Sequence, residues 1–409
     1  MLRKALLVAA FDSQLKWLAG IRGELTARGI DCTVLVPDVR SALSPGQIAA
    51  AGFEAVESCS WTELISRALA SEVVVCALSG PSTLRFTVDL TAELSERAAD
   101  GEPGPVLVTG WVGVVIEKIA AGYLDRSGSD VVAVNCVADL EYFLGVAGQL
   151  GLATDNLLLS GLPILTSSLK PPHGRPIRQV LFADQPTVPR QAGERRYVYT
   201  RLIDYAYAHP DREVLLKPRH RPDEDTFHTM KHHPEDLLAG IEHPPNFRID
   251  YTPISEALPQ VDLLLTVSST ACLEAVGAGC RVGLILDLGV HERYGNQVFL
   301  PSGLLRTFDE LIDDQLGTPA QPWLDSYFFD RPGTAAELIG DRVEKLLASG
   351  ERPSRAVWDS AYFASTARYL RSTPVPGMVR RDPRGKIIRD LLPPVLLRRA
   401  RRLRRRAQR

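Results

Sequence analysis

Apolar residues fall along this chain in short unbroken runs rather than in strict alternation. Ala5–Ala10, Cys32–Val36, Glu72–Leu78, Val106–Thr109, Val131–Val134 and Leu157–Leu159 are such runs. Their continuity predicts strands buried on both faces, as in a parallel sheet. Between several of them the apolar spacing turns helical, over Leu15–Arg28, Trp61–Leu69 and Val114–Leu124. Strands separated by helices imply right-handed crossovers and an open parallel sheet. The segment Thr166–Pro176, TSSLKPPHGRP, interrupts the rhythm with Pro and Ser and reads as a linker. The pattern then restarts, with strands predicted at Gln179–Phe182, Glu213–Lys217, Phe247–Ile249, Asp262–Val267 and Arg281–Leu286. Helices are predicted at Glu194–Ala208 and Thr270–Ala278. The expectation is an α/β chain of two Rossmann-like units, residues 1–165 and 177–350, with parallel sheets facing a central cleft. Ligands bind such sheets at the carboxyl ends of the strands. Residues 351–379 are expected as a helical extension and 380–409 as a basic tail. No sequence repeat of 20–50 residues is present, which excludes a solenoid or propeller.

Composition narrows the class. The chain has 409 residues, 45% apolar and 23% charged, with a mean hydropathy of -0.03. These values fit a globular chain that is neither disordered nor membrane-spanning. The longest apolar runs, such as Val261–Val267 with Asp262 inside it, fall far short of the ~20 residues a membrane helix needs. The start, MLRKALLVAAFDSQLKW, superficially resembles a signal peptide. It lacks a clean small-residue cleavage site and meets Asp12 at once, so it reads as a first strand. Six cysteines occur without CxxC or Cys/His metal spacing, as expected of reduced thiols in a cytosolic protein. Collagen, coiled coil, disulfide scaffold and zinc ribbon are excluded.

Candidate chemistry is densest after residue 210. KPRHRPDEDTFH (Lys217–His228) follows a predicted strand, placing Lys217, Arg219, His220 and Arg221 at its carboxyl end. Such a cluster suits an anionic ligand such as a diphosphate, or is simply a solvated basic loop. His228, His232, His233 and His243 follow, with no HxxxH or HExxH spacing that brings in a carboxylate, so no metal site is expected. VDLLLTVSSTACLEAVGAG (Val261–Gly279) reads as a buried strand, then Ser268 and Ser269 at a turn, then a helix opening at Thr270. Hydroxyls and amides at such a turn hold a phosphate, or Ser269 merely caps the helix. Glu274 either reaches a ribose hydroxyl or lies on the exposed helix face. His291, in GVHERYGN after the strand ending at Leu286, either touches the donor or belongs to a surface loop.

Taken together, these segments resemble the GT-B glycosyltransferases. The likeness is to the branch of bacterial polysialyltransferases, capsule polysaccharide transferases and CDP-glycerol polymerases. That branch pairs a strand-end His-Pro motif with a downstream Ser-Ser motif, both cradling the phosphates of the donor. His220 and Pro222 resemble the first, with Arg221 inserted between them, and Ser268, Ser269 and Glu274 resemble the second. VLFADQPTVPR (Val180–Arg190) resembles the opening strand and loop of the donor half, and SGLPIL (Ser160–Leu165) the segment that closes the acceptor half. The likeness spans roughly residues 1–350 and is greatest to an actinobacterial group of glycosyltransferases. It implies a GT-B fold and a nucleotide-activated sugar or polyol donor. The transfer would be to a hydroxyl of a glycan or lipid-linked acceptor in envelope or capsular glycan synthesis. It also implies donor-binding roles for Lys217, Arg219, His220, Ser268, Ser269, Thr270 and Glu274, with His220 stabilising the departing phosphate.

In a GT-B enzyme the amino-terminal half meets the acceptor, whose hydroxyl must lose a proton to a base. AAFDSQLKW (Ala9–Trp17) carries Asp12, Ser13, Lys16 and Trp17 just past the first strand. TGWVGVVIEK (Thr109–Lys118) offers Gly110 and Gly113 for close backbone approach, and Glu117 beside them. Asp12 and Glu117 are the candidate bases, although Asp12 is equally placed for an Asx turn or helix cap. Neither segment is a GxGxxG fingerprint, and no DxD motif ends a strand, so neither a cofactor nor a metal is expected. Two competing functions share this architecture or site. One is a nucleotide-sugar 2-epimerase, which would consume donor without any acceptor. The other is a non-catalytic nucleotide-binding scaffold.

The near-neutral net charge of -2 conceals a strong asymmetry. Residues 380–409 hold thirteen Lys/Arg and two Asp, a net +11, which leaves the remaining chain at -13. Ile387, Ile388, Leu391, Leu392 and Val395 recur at helical spacing before the basic run Arg398–Arg409. Pro393 and Pro394 divide the segment into two short helices. An apolar stripe beside dense Arg fits an anionic membrane surface, here the inner face of the plasma membrane. Each Arg near such a surface contributes ~1 kcal/mol. Nucleic acid, which an Arg cluster also neutralises, is not expected because it has no use for the stripe. A disordered solubilising tail is the third reading. On the membrane reading, the full chain sediments with anionic vesicles, whereas a chain ending at Val379 does not. Equal partitioning of the two would show that the tail is no anchor.

Overall fold

The computed structural model describes residues 3–38, 43–97, 104–116, 119–165, 169–222 and 230–373. The basic tail lies outside them. The first half holds β1 (Arg3–Val8), β2 (Ile30–Pro37), β3 (Glu57–Cys59), β4 (Val73–Cys76), β5 (Val106–Gly110), β6 (Val131–Val134) and β7 (Leu157–Leu159). The second holds β8 (Gln179–Ala183), β9 (Glu213–Lys217), β10 (Phe247–Ile249), β11 (Leu263–Thr266), β12 (Arg281–Ile285) and β13 (Leu305–Arg306). The two sheets are ordered β3-β2-β1-β4-β5-β6-β7 and β10-β9-β8-β11-β12-β13. All the pairings are parallel, with Ala5 beside both Cys32 and Val73, and Leu263 beside both Val180 and Arg281. Each sheet is therefore two Rossmann-like halves back to back, reversing at β1/β4 and at β8/β11. The crevice for a ligand opens at those reversals.

The central strands are apolar throughout because helices cover both faces; Leu7, Val73–Val75, Val108 and Leu263–Leu265 are fully buried. The two strands without an apolar run in the sequence lie at sheet edges. They are β3, which reads Glu-Ser-Cys, and β13, which has two residues. Of the helix expected over Val114–Leu124, Ile119–Leu124 is helical. Before it, Trp111–Ile116 forms a loop, fixed by the Asn135 side chain donating to the carbonyls of Trp111 and Gly113 at 3.2 and 2.8 Å. Two long helices, Gly80–Arg97 and Val137–Leu150, complete the first half. All six cysteines are free, five of them buried and Cys32 partly so.

Within the stretch expected as the second unit, 177–350, the last helix packs on the first sheet. Helix Ala335–Ser349, opened by a capping box between Thr334 and Glu337, returns to the first sheet. Its stripe of Ile339, Val343 and Leu346 is buried in one core with Leu7, Val75, Val108 and Ala133. Arg28 ties it down through Asp341 and Glu344, both at 2.7 Å. The following helices, Ser354–Trp358 and Ala361–Arg371, also pack on the first half, with Val357 and Phe363 beside Phe143 and Tyr123. An apolar stripe encodes the need for a partner face, not which sheet supplies it.

Where the chain crosses back, buried Arg331 donates to the carbonyls of Ser160 at 2.7 Å and Leu165 at 2.5 Å. Gly161 sits in the left-handed region at φ +81°, and a Cβ there would fall on the Arg331 guanidinium. Gly29 has a similar φ of +77° but open space around it. Gly161→Ala is thus expected to cost the ~1–2 kcal/mol of left-handed strain plus the displaced clamp, and Gly29→Ala the strain alone. Urea unfolding midpoints compare the two. Equal losses would mean that the clamp does not depend on this glycine.

Candidate active site

Both reversals open into one cleft, and contacts cross it at three points. Asp12 begins helix Asp12–Ala27 directly after β1. Its carboxylate accepts a hydrogen bond from Arg219, two residues past β9, at 2.8 Å. The backbone N–H of Val114, in the loop after β5, donates to the Thr270 hydroxyl after β11 at 3.4 Å. The Gln297 side chain donates to the Ile116 carbonyl at 2.6 Å. Gly113 and Gly295 permit the approach, since a Cβ would meet Thr270 Oγ1 at 3.0 Å and Ile116 at 2.9 Å respectively. Gly110 has another purpose: a Cβ there would strike Trp17 and Ala133, so strand packing, not a ligand, requires it.

Charge gathers on the β9 side. Lys217 closes β9 half-buried; among the described residues its Nζ meets only the Pro218 carbonyl, at 3.4 Å. Burial pushes its pKa down, Asp250 opposes this, and the cations of Lys16 and Arg219 push it down further. Burial pushes Asp12 up, but the charge and hydrogen bond of Arg219, the Ser13 N–H and Lys16 outweigh it, so its pKa is lowered. Asp12 is therefore ionised at neutral pH, and its side chain does not cap its helix. Glu274, on helix Ala271–Gly277, is pushed up by burial, with Lys16 pulling it back. The charge of Lys16 thus acts on both Lys217 and Glu274. Lys16 lies four residues after Asp12, one helical turn along the same face.

The motif residues divide into those that face the cleft and those that hold it. His220 is buried, its Nε2 accepting from the Met230 N–H at 3.2 Å, which leaves Nδ1–H to donate to the Arg221 carbonyl at 2.8 Å. His233 repeats the device, accepting from the Glu235 N–H and donating to the His220 carbonyl at 3.1 Å. Both ring nitrogens of His220 are thus committed to backbone, so in this conformation it positions the Lys217–Pro222 loop and does not meet a phosphate. The inserted Arg221 lies over the Tyr251 ring at 4.4 Å. Ser268 is likewise buried, with its hydroxyl at the Tyr294 carbonyl and the Gln185 amide oxygen. Ser269 accepts from the Ala271 N–H at 3.2 Å, which leaves its own O–H to donate. The helix after it has seven residues, so hydroxyls and cations carry the site more than a helix dipole does. His291 is exposed and caps the turn Glu292–Tyr294 by accepting from the Arg293 N–H at 3.1 Å. Glu117 lies outside the described residues.

Sequence reading missed one contributor and left another without a role. Gln185, just past β8, fixes Ser268, and its own carbonyl is held by Arg195. Arg195 is fully buried and pairs with Asp184 at 2.8 Å, while Tyr199 donates to the same carboxylate at 2.6 Å. Lys16 needed the helix register after Asp12 to be seen as a site residue. Among the described residues, no group of three or more His, Cys, Asp or Glu could hold a metal ion.

Residues 5–346 match the family model described as "Putative glycosyltransferase (DUF6716)". The chain belongs to this family. No curated protein matches the sequence. Among solved structures, the fold of this family member is similar to the Staphylococcus aureus MnaA–UDP co-structure, with a TM-score of 0.55 and 11% identity over 85% of this chain and 97% of that one. It is also similar to the UDP-GlcNAc 2-epimerase of Methanocaldococcus jannaschii in complex with UDP-GlcNAc and UDP, with a TM-score of 0.54 and 12% identity over 85% and 100%. At such identities the likeness is one of fold, and it confirms the GT-B-like arrangement of two facing parallel sheets. No helix among the described residues is long and apolar enough to cross a membrane.

The histidine network of this family member gives a direct test. His220→Ala strands the buried Met230 N–H and is expected to cost ~1–3 kcal/mol of stability. Ser269→Ala, at a partly buried hydroxyl, is expected to stay within about 0.5 kcal/mol. Chemical denaturation of both variants checks this, and an unchanged His220→Ala protein would refute the positioning role.

Proposed function

We propose that the protein moves a sugar, or a polyol phosphate, from a nucleotide-activated donor to a hydroxyl acceptor in envelope or capsular glycan synthesis. The observation that carries this reading is the cluster at the cleft: Lys217, Arg219, Ser269, Thr270 and Glu274 from the second half, facing Asp12 and Lys16 from the first. Cations and hydroxyls converging at strand ends suit donor phosphates, and Glu274 suits a ribose hydroxyl. His220 and Ser268 hold the two loops that present these groups. For a sugar donor, the acceptor oxygen attacks the anomeric carbon as the bond to phosphate breaks. The nucleotide leaves with the electron pair, and the acceptor proton passes to a carboxylate. Asp12 is our first choice for that base, ahead of Glu117. While Arg219 is paired with it, Asp12 is a weak base. Donor phosphates that draw Arg219 away restore its basicity. A basic tail on an anionic membrane surface suits an acceptor that is lipid-linked or emerging there.

The family supports transfer, and the structural neighbours leave epimerisation as the second reading. Turnover with a panel of CMP-, CDP-, UDP- and GDP-linked donors separates them, because an epimerase consumes donor without acceptor. Asp12→Asn is expected to lower turnover ~100- to 10,000-fold while donor affinity persists. Near-normal turnover in Asp12→Asn would move the base elsewhere, with Glu117 next.

A further inference from the structure

The chain that carries the basic tail leaves the described part of the molecule at a fixed point, remote from the cleft residues above. The final helix, Ala361–Arg371, packs on helix Gly80–Arg97, where the carbonyls of Leu370 and Thr373 both accept from Arg85 at 2.7 Å. Thr373 is the last described residue. Arg85 is buried, and its Nε donates at 2.8 Å to Asp89, one turn further along the same helix face. The same carboxylate oxygen accepts from the Trp61 indole N–H at 2.9 Å, and Trp61 opens the neighbouring helix Trp61–Leu69. The exit of the chain is thus joined through one guanidinium to the seam between two helices.

At that seam lies a groove of about 350 Å³. Trp61, Ile65 and Leu69, spaced four residues apart on one helix face, line it with Ala92, and Asp89 and Glu93 supply acid. Glu93 is exposed, and among the described residues no cation is paired with it. Arg85, Asp89 and Glu93 stand at successive turns, so Glu93 lies about 12 Å beyond the exit clamp. The residues that follow Thr373 are Pro-Val-Pro-Gly-Met-Val-Arg-Arg, 374–381. Their order suits the groove, with apolar side chains first and cations after them. Pro374 and Pro376 favour an extended backbone, which at ~3.1 Å per residue covers that distance in about four residues. Proline-rich segments dock in aromatic-lined grooves because they have little backbone freedom left to lose.

We propose that residues 374–381 of this same chain occupy the groove between helices Trp61–Leu69 and Gly80–Arg97. Val375, Met378 and Val379 lie against Trp61, Ile65 and Leu69, and Arg380 or Arg381 pairs with Glu93. A tether this short holds the segment at an effective concentration on the order of millimolar, so contacts too weak to capture a free peptide are sufficient. A second copy of the chain would have to bring the same segment without that advantage. The proposal is independent of the transferase reading. Its consequence is that the basic run Arg398–Arg409 is tethered from a fixed place on the outer face of the first half, which sets where the charge of the tail can reach.

Photo-crosslinking of the full chain tests this, with benzoylphenylalanine in place of Thr62 or of Ser66, two exposed positions at the groove. Irradiation is expected to give adducts within one chain on residues 374–381, located by mass spectrometry of the digested monomer band. The same probe in place of Tyr207, exposed on the second half, is expected to give none there. Val375→Asp is expected to lower the adduct yield roughly tenfold, as befits one lost apolar contact. Glu93→Arg is expected to lower it roughly twofold to fivefold, the scale of an exposed ion pair. Glu93 is exposed, so that variant retains the fold, as a thermal midpoint verifies. Adducts on a second chain, adducts confined to residues beyond 381, no adduct at all, equal adducts from the Tyr207 position, or yields unchanged by both substitutions overturn the proposal.

Discussion

Arg331 is a buried cation whose side-chain partners are two backbone carbonyls, those of Ser160 and Leu165. Burial lowers its pKa, the signature of a guanidinium with no charge beside it. It sits where the chain has left the second sheet and is about to join the first, and it grips the segment by which the first sheet ends. This grip acts beside the apolar core in which Leu162 and Leu165 pack against the second half. Ser160–Leu165 cannot shift without breaking the clamp, and Gly161 supplies the turn that lets the guanidinium in. From that fixed point both sets of strands run their carboxyl ends into one cleft, and the Asp12–Arg219, Val114–Thr270 and Gln297–Ile116 contacts follow.

Within the cleft, order is imposed by groups that never face a ligand. The buried Asp184–Arg195–Tyr199 set locks the Gln185 backbone, Gln185 locks Ser268, and the His220–His233 pair locks the loop after β9. Each uses hydrogen bonds to buried backbone, which are costly to leave unmade. Among the described residues, the groups left outside these networks are Lys16, Lys217, Arg219, Glu274 and the Ser269 hydroxyl. Asp12 occupies Arg219 with an internal anion, so the corner is already partly neutralised when an external anion arrives.

The sheet strands were legible because a strand buried on both faces must be apolar at every position, and runs such as Val131–Val134 have no other explanation. The edge strands β3 and β13 were not, since two or three residues at a sheet rim bury too little to leave a pattern. The Ser-Ser and Lys-Pro-Arg-His segments were found because strand ends in such sheets are where chemistry collects. What each side chain does there was not legible. The His220 ring is claimed by the Met230 N–H, ten residues on, and nothing in a local motif announces such a partner. Lys16 has the opposite history: named in sequence without a role, it is placed by the helix register and by a second half that begins over 150 residues later.

The return of helix Ala335–Ser349 to the first sheet has a consequence for how the molecule comes into being. The Ile339, Val343 and Leu346 stripe completes a core whose other members, from Leu7 to Ala133, are synthesised hundreds of residues earlier. The first half is therefore unfinished while the ribosome makes the whole of the second, and it holds an open apolar face during that time. The second sheet, built from a continuous stretch, can close on itself first. The half that begins the chain is the last to mature, and the cleft exists only once it has done so.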